Sequence, residues 1–234
     1  MIRNMQERSF SREAVQDRLR EIRENIAEAC DKYRSSGEKT EIMAVTKTVP
    51  PEVVNWVFDM GLDLLGENRV QEYQSKKDIY LPEARVHFIG HLQTNKVKYI
   101  INDMDMIQSV DSLRLGQEID RLAAANGRIM DILCEVNIGG EDSKDGVSPE
   151  ELKGLLEELS SLEHINIRGL MTIPPPSDSD IFLGRMAELY GRYKDLYSMD
   201  TLSMGMTHDY VQAVRHGSTL VRIGSGLFGA RIYT

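Results

Sequence analysis

Apolar residues recur along this chain in eight short runs. Each run ends in a cluster of small, polar or ionisable residues, and a helical stretch follows almost every one. The runs are Glu41–Thr46, Asp63–Leu65, Arg85–Ile89, Asp105–Gln108, Asp131–Val136, Ile165–Leu170, Thr201–Leu202 and Leu220–Ile223. Short apolar runs bounded by turn residues mark strands of a parallel sheet, covered on both faces. Between them, helical periodicity predicts helices over Val70–Lys77, Thr94–Ile101, Ser112–Asn126, Pro149–Ser161, Ser179–Tyr197 and His208–His216. Another helix starts at Pro50-Pro51, where a missing N–H costs nothing, and ends at Gly61. A longer helix precedes the first strand, from Ser11 to Tyr33. Its stripe is Val15, Leu19, Ile22, Ile26, Cys30 and Tyr33, Ser11 is its N-cap, and Gly37 lies beyond its end. It either closes the bottom of the fold or covers its side. The repeated strand–helix order predicts an α/β protein, a single (β/α)8 TIM barrel domain over residues 1–234 with an extra N-terminal helix.

A barrel of this kind keeps its chemistry at the C-terminal ends of its strands. The trailing clusters are Lys47, Gly66-Glu67-Asn68, Gly90-His91, Ser109 with Asp111, Asn137, Met171-Thr172, Ser203-Met204-Gly205 and Gly224-Ser225-Gly226. Lys47 directly follows an apolar strand and has no nearby acid in sequence. A lysine at a barrel mouth is partly desolvated, which disfavours the ammonium and exposes an amine able to capture a carbonyl. Phosphate commonly binds between the loops after the last two strands of such a barrel. There, glycines let backbone N–H groups approach oxygens, and Ser203 and Ser225 can donate hydroxyl hydrogen bonds; two tight turns would explain the same residues. Asn68 and Glu67 serve either at a helix start or at a ligand. His91 is either a base or stacking group, or a capping residue. The loop from Gly139 to Gly146 and the loop Pro174-Pro175-Pro176-Ser177-Asp178 are each a lid or a solvated connection.

Composition narrows the classes. The formal net charge of −9 comes without a basic stripe, which excludes a nucleic-acid partner. No apolar run approaches the ~20 residues that span a bilayer, and Met1–Arg8 has no signal-peptide character. The chain therefore reads as cytoplasmic, with no membrane partner, and as a monomer. Cys30 and Cys134 lack any CxxC or Cys/His neighbour, which fits buried free thiols and no zinc site. Met171, Met204 and Met206, near strand ends, read as packing residues.

The chain also resembles the pyridoxal phosphate homeostasis protein family. The matching pieces are Ala44-Val45-Thr46-Lys47, Gly66-Glu67-Asn68-Arg69-Val70-Gln71-Glu72, His87 through Lys96, Ser143-Lys144-Asp145-Gly146, Gly169-Leu170-Met171-Thr172-Ile173, Leu202-Ser203-Met204-Gly205-Met206 and Gly217 through Gly224. The resemblance implies an alanine racemase N-terminal-domain-like barrel that holds pyridoxal 5′-phosphate as a Schiff base on Lys47 and supplies it to apo-enzymes. It places Ser203, Gly205, Gly224 and Ser225 at the phosphate, Arg222 at the ring nitrogen and Asn68 near the ring. Three positions depart from the family pattern. Thr46 stands where Ser is usual and Ser225 where Thr is usual, and Val49 replaces a second lysine found in some members. A guanidinium only donates and stays charged, so Arg222 can pair only with an unprotonated pyridine nitrogen. Such a ring is a poor electron sink, which suits a carrier better than a transaminase. The alternative is a pyridoxal-phosphate-dependent racemase or lyase. Racemisation needs a second base, which alanine racemases take from an extra β domain; the chain is expected to have no room for one before its end at Thr234. Tyr210, Tyr73 and His91 are candidate substitutes, but nothing in the spacing places them. Lys144 is a candidate relay for cofactor transfer. A metal-dependent aldolase would need a carboxylate/His cluster, and the sequence offers no metal-ligating motif.

Overall fold

The computed structural model describes residues 10–141 and 144–229. The start at Met1–Arg8, the residue Ser143 and the end at Thr234, all used above, lie outside the described residues. The strands are β1 (Glu41–Val45), β2 (Leu64–Glu67), β3 (Arg85–Phe88), β4 (Met106–Val110), β5 (Met130–Glu135), β6 (Ile165–Met171), β7 (Thr201–Ser203) and β8 (Leu220–Ile223). They form a closed barrel in chain order, every neighbouring pair parallel, with β8 returning to β1. The helices are α1 (Arg12–Tyr33), α2 (Pro51–Val54), α3 (Trp56–Asp59), α4 (Val70–Lys76), α5 (Leu113–Ala125), α6 (Leu152–Leu159), α7 (Ser179–Tyr193), α8 (Tyr210–Arg215) and α9 (Ser225–Phe228). None of the described helices is long and apolar enough to cross a membrane.

Period-two alternation along each strand sorts the side chains. Ile42, Ala44, Val221 and Ile223 face outward into a cluster with α1, whereas Met43, Val45 and Leu220 pack together inside the barrel. The same parity turns Arg222 inward. On α1, Ser11 Oγ accepts from the Ala14 N–H at 3.2 Å, so the N-cap is formed. Val15, Leu19, Ile22, Ile26 and Ala29 are buried against the β1–β8 seam, so α1 covers the side of the barrel. Burying each of the larger side chains contributes about 1.5–3 kcal/mol. The stripe is shorter than its sequence pattern: Cys30 is half-buried and Tyr33 exposed.

Several elements differ from their sequence reading. The Pro50–Gly61 stretch is two short helices broken at Asn55, whose Nδ2 donates to the Ile79 carbonyl at 2.8 Å. Thr94–Tyr99 is a 3-10 helix. Strands β2 and β4 run two residues further than their apolar runs, through Gly66-Glu67 and Ser109-Val110. Glu67, read as a loop or helix-start acid, is thereby a fully buried strand residue, outward-facing by parity.

At the N-terminal mouth of the barrel, Arg85 forks onto Asp63 at 2.8 and 3.0 Å and reaches Glu41 at 2.5 Å. Arg168 spans Asp131, at 2.5 Å, and Asp200. These pairs explain the polar residues of the fifth and sixth runs, since Asn166 also donates to Asp131 at 2.8 Å.

Candidate active site at the C-terminal mouth

Opposite that ring of ion pairs, a cavity of about 200 Å³ opens between the ends of β1, β2, β3, β6, β7 and β8. It is lined by Val45, Lys47, Asn68, Ile89, Ile173, Met206, Thr207, His208, Arg222, Gly224 and Ser225. Five of the seven residues expected at a cofactor thus share one wall. Ser203 and Gly205 are not on it.

Lys47 stands past the end of β1 and is exposed, which corrects the expected desolvation. The strand ends at Val45, so no neighbouring strand flanks the lysine. Asn68 sits at the end of β2, with an Oδ1 that is buried and has no hydrogen-bond partner. It is not the helix cap: that position falls to Arg69, without a side-chain bond. A Cβ on Gly90 would lie 2.2 Å from the Asn68 carbonyl oxygen, so only glycine lets the β3 loop pack against this residue.

Arg222 is 3% exposed. Its guanidinium donates to Ser203 Oγ at 2.7 Å and to the Thr172 carbonyl at 2.7 Å. Burial pushes its pKa down to about 10, against the nearby charges of Glu135 and Asp209, so it stays charged at neutral pH. The Ser203 hydroxyl donates a hydrogen bond to Gln108 Oε1 at 2.7 Å. That leaves the Gln108 amide N–H to face His87 Nδ1 at 2.9 Å. Burial, with the charges of Arg85 and Arg168, holds the His87 pKa down near 3, so the ring is neutral and Nδ1 accepts. A directed chain of hydrogen bonds therefore crosses the barrel interior, from Arg222 through Ser203 and Gln108 to His87. The Ser203 hydroxyl is engaged at both ends in this chain. It bonds Arg222 and Gln108 and does not line the cavity.

Thr207, Gly224 and Ser225 line the cavity beside Arg222, and Gly226 adjoins them. Thr207 Oγ1 accepts from the Gly226 N–H at 3.0 Å and lies 3.3 Å from Ser225 Oγ. Ser225 begins α9, and the first N–H groups of any helix lack intrahelical acceptors. Gly205 acts one layer behind. It has φ +94°, a Cβ there would meet Ala213 Cβ at 2.5 Å, and its carbonyl takes the Arg222 N–H at 2.9 Å. Thr207 belongs to the stretch after β7 that the sequence offers for phosphate but is not singled out there; its signal is a hydroxyl in that loop, beside the glycine cluster after β8. His208, read as the start of a helix, is an exposed cavity residue, since α8 begins at Tyr210.

Glu135, at the end of β5, is 7% exposed. Burial and the neighbouring Asp145 push its pKa up to about 7, against the pull of Arg222. Of the proposed second bases, none lines the cavity. Tyr73 is buried in the outer core, Tyr210 accepts from Asn25 Nδ2 at 2.8 Å, and His91 pairs with Asp145 at 3.0 Å. His91, Asp111 and Asp145 also bring ligand-type atoms within 4.8 Å of one another on the surface, a cluster the sequence did not announce. Lys144 is exposed in the loop after β5, where Asn137 Nδ2 reaches its carbonyl at 3.4 Å, and it too lies off the cavity wall. Both cysteines are free, and burial raises the Cys134 pKa to about 12.

The family model described as "Alanine racemase, N-terminal domain" matches residues 18–232 of this barrel. Alanine racemase from Corynebacterium glutamicum shares this fold, with a TM-score of 0.74 over 97% of this chain and 63% of that one, at 14% identity. A relative in Aquifex aeolicus named "Pyridoxal phosphate homeostasis protein" is 42% identical over 93% of this chain and 98% of its own length. PipY of Synechococcus elongatus PCC7942 superposes with a TM-score of 0.82 at 30% identity in its structure without PLP, covering 92% of this chain and 100% of PipY. Its structure with PLP bound gives 0.78 at 29% identity, with the same coverage. This chain belongs to the pyridoxal phosphate homeostasis protein family.

Proposed function

We propose that this protein binds pyridoxal 5′-phosphate through Lys47, buffers it within the cell as part of vitamin B6 homeostasis, and hands it to apo-enzymes. The observation that carries this reading is the convergence of Lys47, Asn68, Arg222 and the Thr207/Gly224/Ser225 cradle on one cavity. The donor set suits the molecule, and the buried Asn68 Oδ1 is an acceptor that still calls for a donor. When bound, the cofactor supplies an aldehyde that condenses with a neutral amine, with loss of water, and a ring whose electron demand depends on its nitrogen. Thr207, Ser225 and the Gly224 backbone hold the phosphate, and Asn68 orients the ring. Arg222, kept in place by Ser203 and Thr172, presents donors only, and so keeps a ring nitrogen unprotonated.

The same features favour a carrier over a racemase or lyase. Two-base racemisation needs a base on each face of the reacting carbon, and Tyr73, Tyr210 and His91 lie off the cavity. The test mixes holo-protein with an apo-enzyme while a scavenger removes free cofactor. Recovery of apo-enzyme activity that depends on Lys47 supports the carrier. Exchange of amino-acid α-protons at ordinary enzyme rates, ~1–10³ s⁻¹, favours the racemase. Lys144, on the same mouth, is the candidate relay; a Lys144→Ala variant that transfers at the parental rate removes the relay and leaves the carrier.

A further inference from the structure

The turn that carries Lys47 is gripped from behind the barrel wall. Thr46 donates its N–H to the Gly66 carbonyl at 3.1 Å, and its hydroxyl reaches Glu67 Oε1 at 2.6 Å. Its carbonyl accepts from the Val49 N–H at 3.0 Å and from Lys76 Nζ at 2.9 Å. The same Lys76 ammonium bonds Glu72 Oε1 at 2.5 Å, and that oxygen also takes the Thr48 N–H at 2.5 Å. Glu72 and Lys76 are one turn apart on α4, so one helix face supplies both groups. The result is a closed circuit from the Thr46 carbonyl through Lys76 and Glu72 to the Thr48 amide, with Lys47 between its two ends.

Two further observations show that the circuit holds the backbone in a conformation it would otherwise leave. Thr48 has φ +62°, in the left-handed region that a β-branched residue avoids. Such strain persists only where the surroundings over-determine it, and it clusters at functional sites. Lys76 is also 7% exposed, which is unusual for a lysine and costs desolvation. Behind it the fully buried Glu67, 3.9 Å from Lys76 Nζ, collects donors from Thr46 and Tyr80 on one oxygen. A surface helix gains little from an arrangement of this kind. The strand end that delivers Lys47 gains a fixed direction.

We propose that Lys76 and Glu72 are positioning residues for Lys47: they lock the Thr46–Thr48 backbone so that the lysine projects into the barrel mouth at an angle that lets its amine meet an aldehyde. This rests on the reading of Lys47 as the cofactor-holding residue. The chemistry needs no other reactant, since amine and aldehyde combine and one water leaves. Neither residue touches the cofactor.

The test has an arm that uses no cofactor. In the protein without ligand, amide hydrogen exchange at Thr48, followed by NMR, is expected to accelerate at least tenfold in Lys76→Met and in Glu72→Gln. With ligand, the near-ultraviolet band of the Lys47 adduct is expected to form at least tenfold more slowly in Lys76→Met after pyridoxal 5′-phosphate is added. Affinity for pyridoxamine 5′-phosphate, which has no aldehyde, should stay within twofold of the parent, and Lys76→Arg should restore much of the rate. Parental Thr48 exchange and a parental adduct rate in Lys76→Met overturn the proposal. So does an equal loss for both ligands, which marks a general collapse of the site. If Lys76→Met fails to fold, Glu72→Gln decides by the same readings. A parent protein that forms no Lys47 adduct overturns the cofactor reading, and the Thr48 exchange arm still decides whether the clamp exists.

Discussion

The two mouths of this barrel use the same residue types in opposite ways. At the N-terminal mouth each arginine has its acids: Arg85 forks onto Asp63 and reaches Glu41, and Arg168 joins Asp131 to Asp200. The hydrogen bond from Arg85 pulls the Asp63 pKa below the usual carboxylate range, and for Asp200 the bonds from Arg168 and Thr201 outweigh partial burial. At the C-terminal mouth Arg222 is buried on two neutral oxygens, and Glu135 is buried beside Asp145 with its pKa raised. Asn68 keeps an unpaired buried oxygen. Closed pairs stabilise; charges held on neutral partners cost stability and are left able to act on something else. The difference singles out one end as the candidate site without reference to any relative.

The sharpest consequence is a stability that falls with pH at one mouth. Glu135 has a folded pKa near 7 against an ordinary value of 4.5. Between those two values the native state binds more protons than the unfolded chain, so unfolding becomes easier as pH rises. Below about 4.5 the effect is absent, and above about 7 it is complete, at roughly 3 kcal/mol. Urea unfolding at pH 4.5 and pH 8 is expected to show this loss in the parent protein and its absence in Glu135→Gln. Equal pH dependence in both proteins would place the raised pKa elsewhere.

A second set of variants separates the cradle from the chain behind it. Thr207→Val and Ser225→Ala are each expected to weaken pyridoxal 5′-phosphate roughly tenfold, since a hydrogen bond to a charged group is worth about 1.5–3 kcal/mol. Their binding of unphosphorylated pyridoxal should barely change. Ser203→Ala should instead weaken both ligands alike, because its hydroxyl acts on Arg222. A phosphate-selective loss in Ser203→Ala, measured by titration with the two ligands, would return Ser203 to the cradle.

The smallest effect belongs to the opposite mouth. Arg168→Met should lower stability by about 1 kcal/mol, in keeping with partly exposed ion pairs, and leave cofactor affinity unchanged. A change in affinity would mean that the two mouths are coupled, with the Arg222–Ser203–Gln108–His87 chain as the physical link.

The barrel was legible in the sequence because its information is local. Alternation in Ile42–Val45 and Leu220–Ile223, and the stripe from Val15 to Ile26, are visible within a few residues. That Lys47, Asn68, Arg222, Gly224 and Ser225 share one mouth was legible because each lies in or within two residues of the C-terminal end of a strand. What stayed hidden depends on distant partners. Glu67 read as a helix-start acid or a ligand contact, and its burial between Thr46 and Tyr80, far apart in sequence, stayed hidden. The bond from Ser203 to Gln108 stayed hidden because the two residues are 95 apart in sequence. Lys76 lies unremarked inside the predicted helix Val70–Lys77, and only the tertiary structure brings it to the Thr46 carbonyl.

The central claim is that the C-terminal mouth holds pyridoxal 5′-phosphate on Lys47. The direct measurement is to add the cofactor, reduce the complex with borohydride, and map the adduct by mass spectrometry, with Lys47→Ala in parallel. The predicted result is one dominant adduct on Lys47, and a Lys47→Ala protein that folds normally but shows no adduct band. A dominant adduct on another lysine, or an unchanged band in Lys47→Ala, would contradict it.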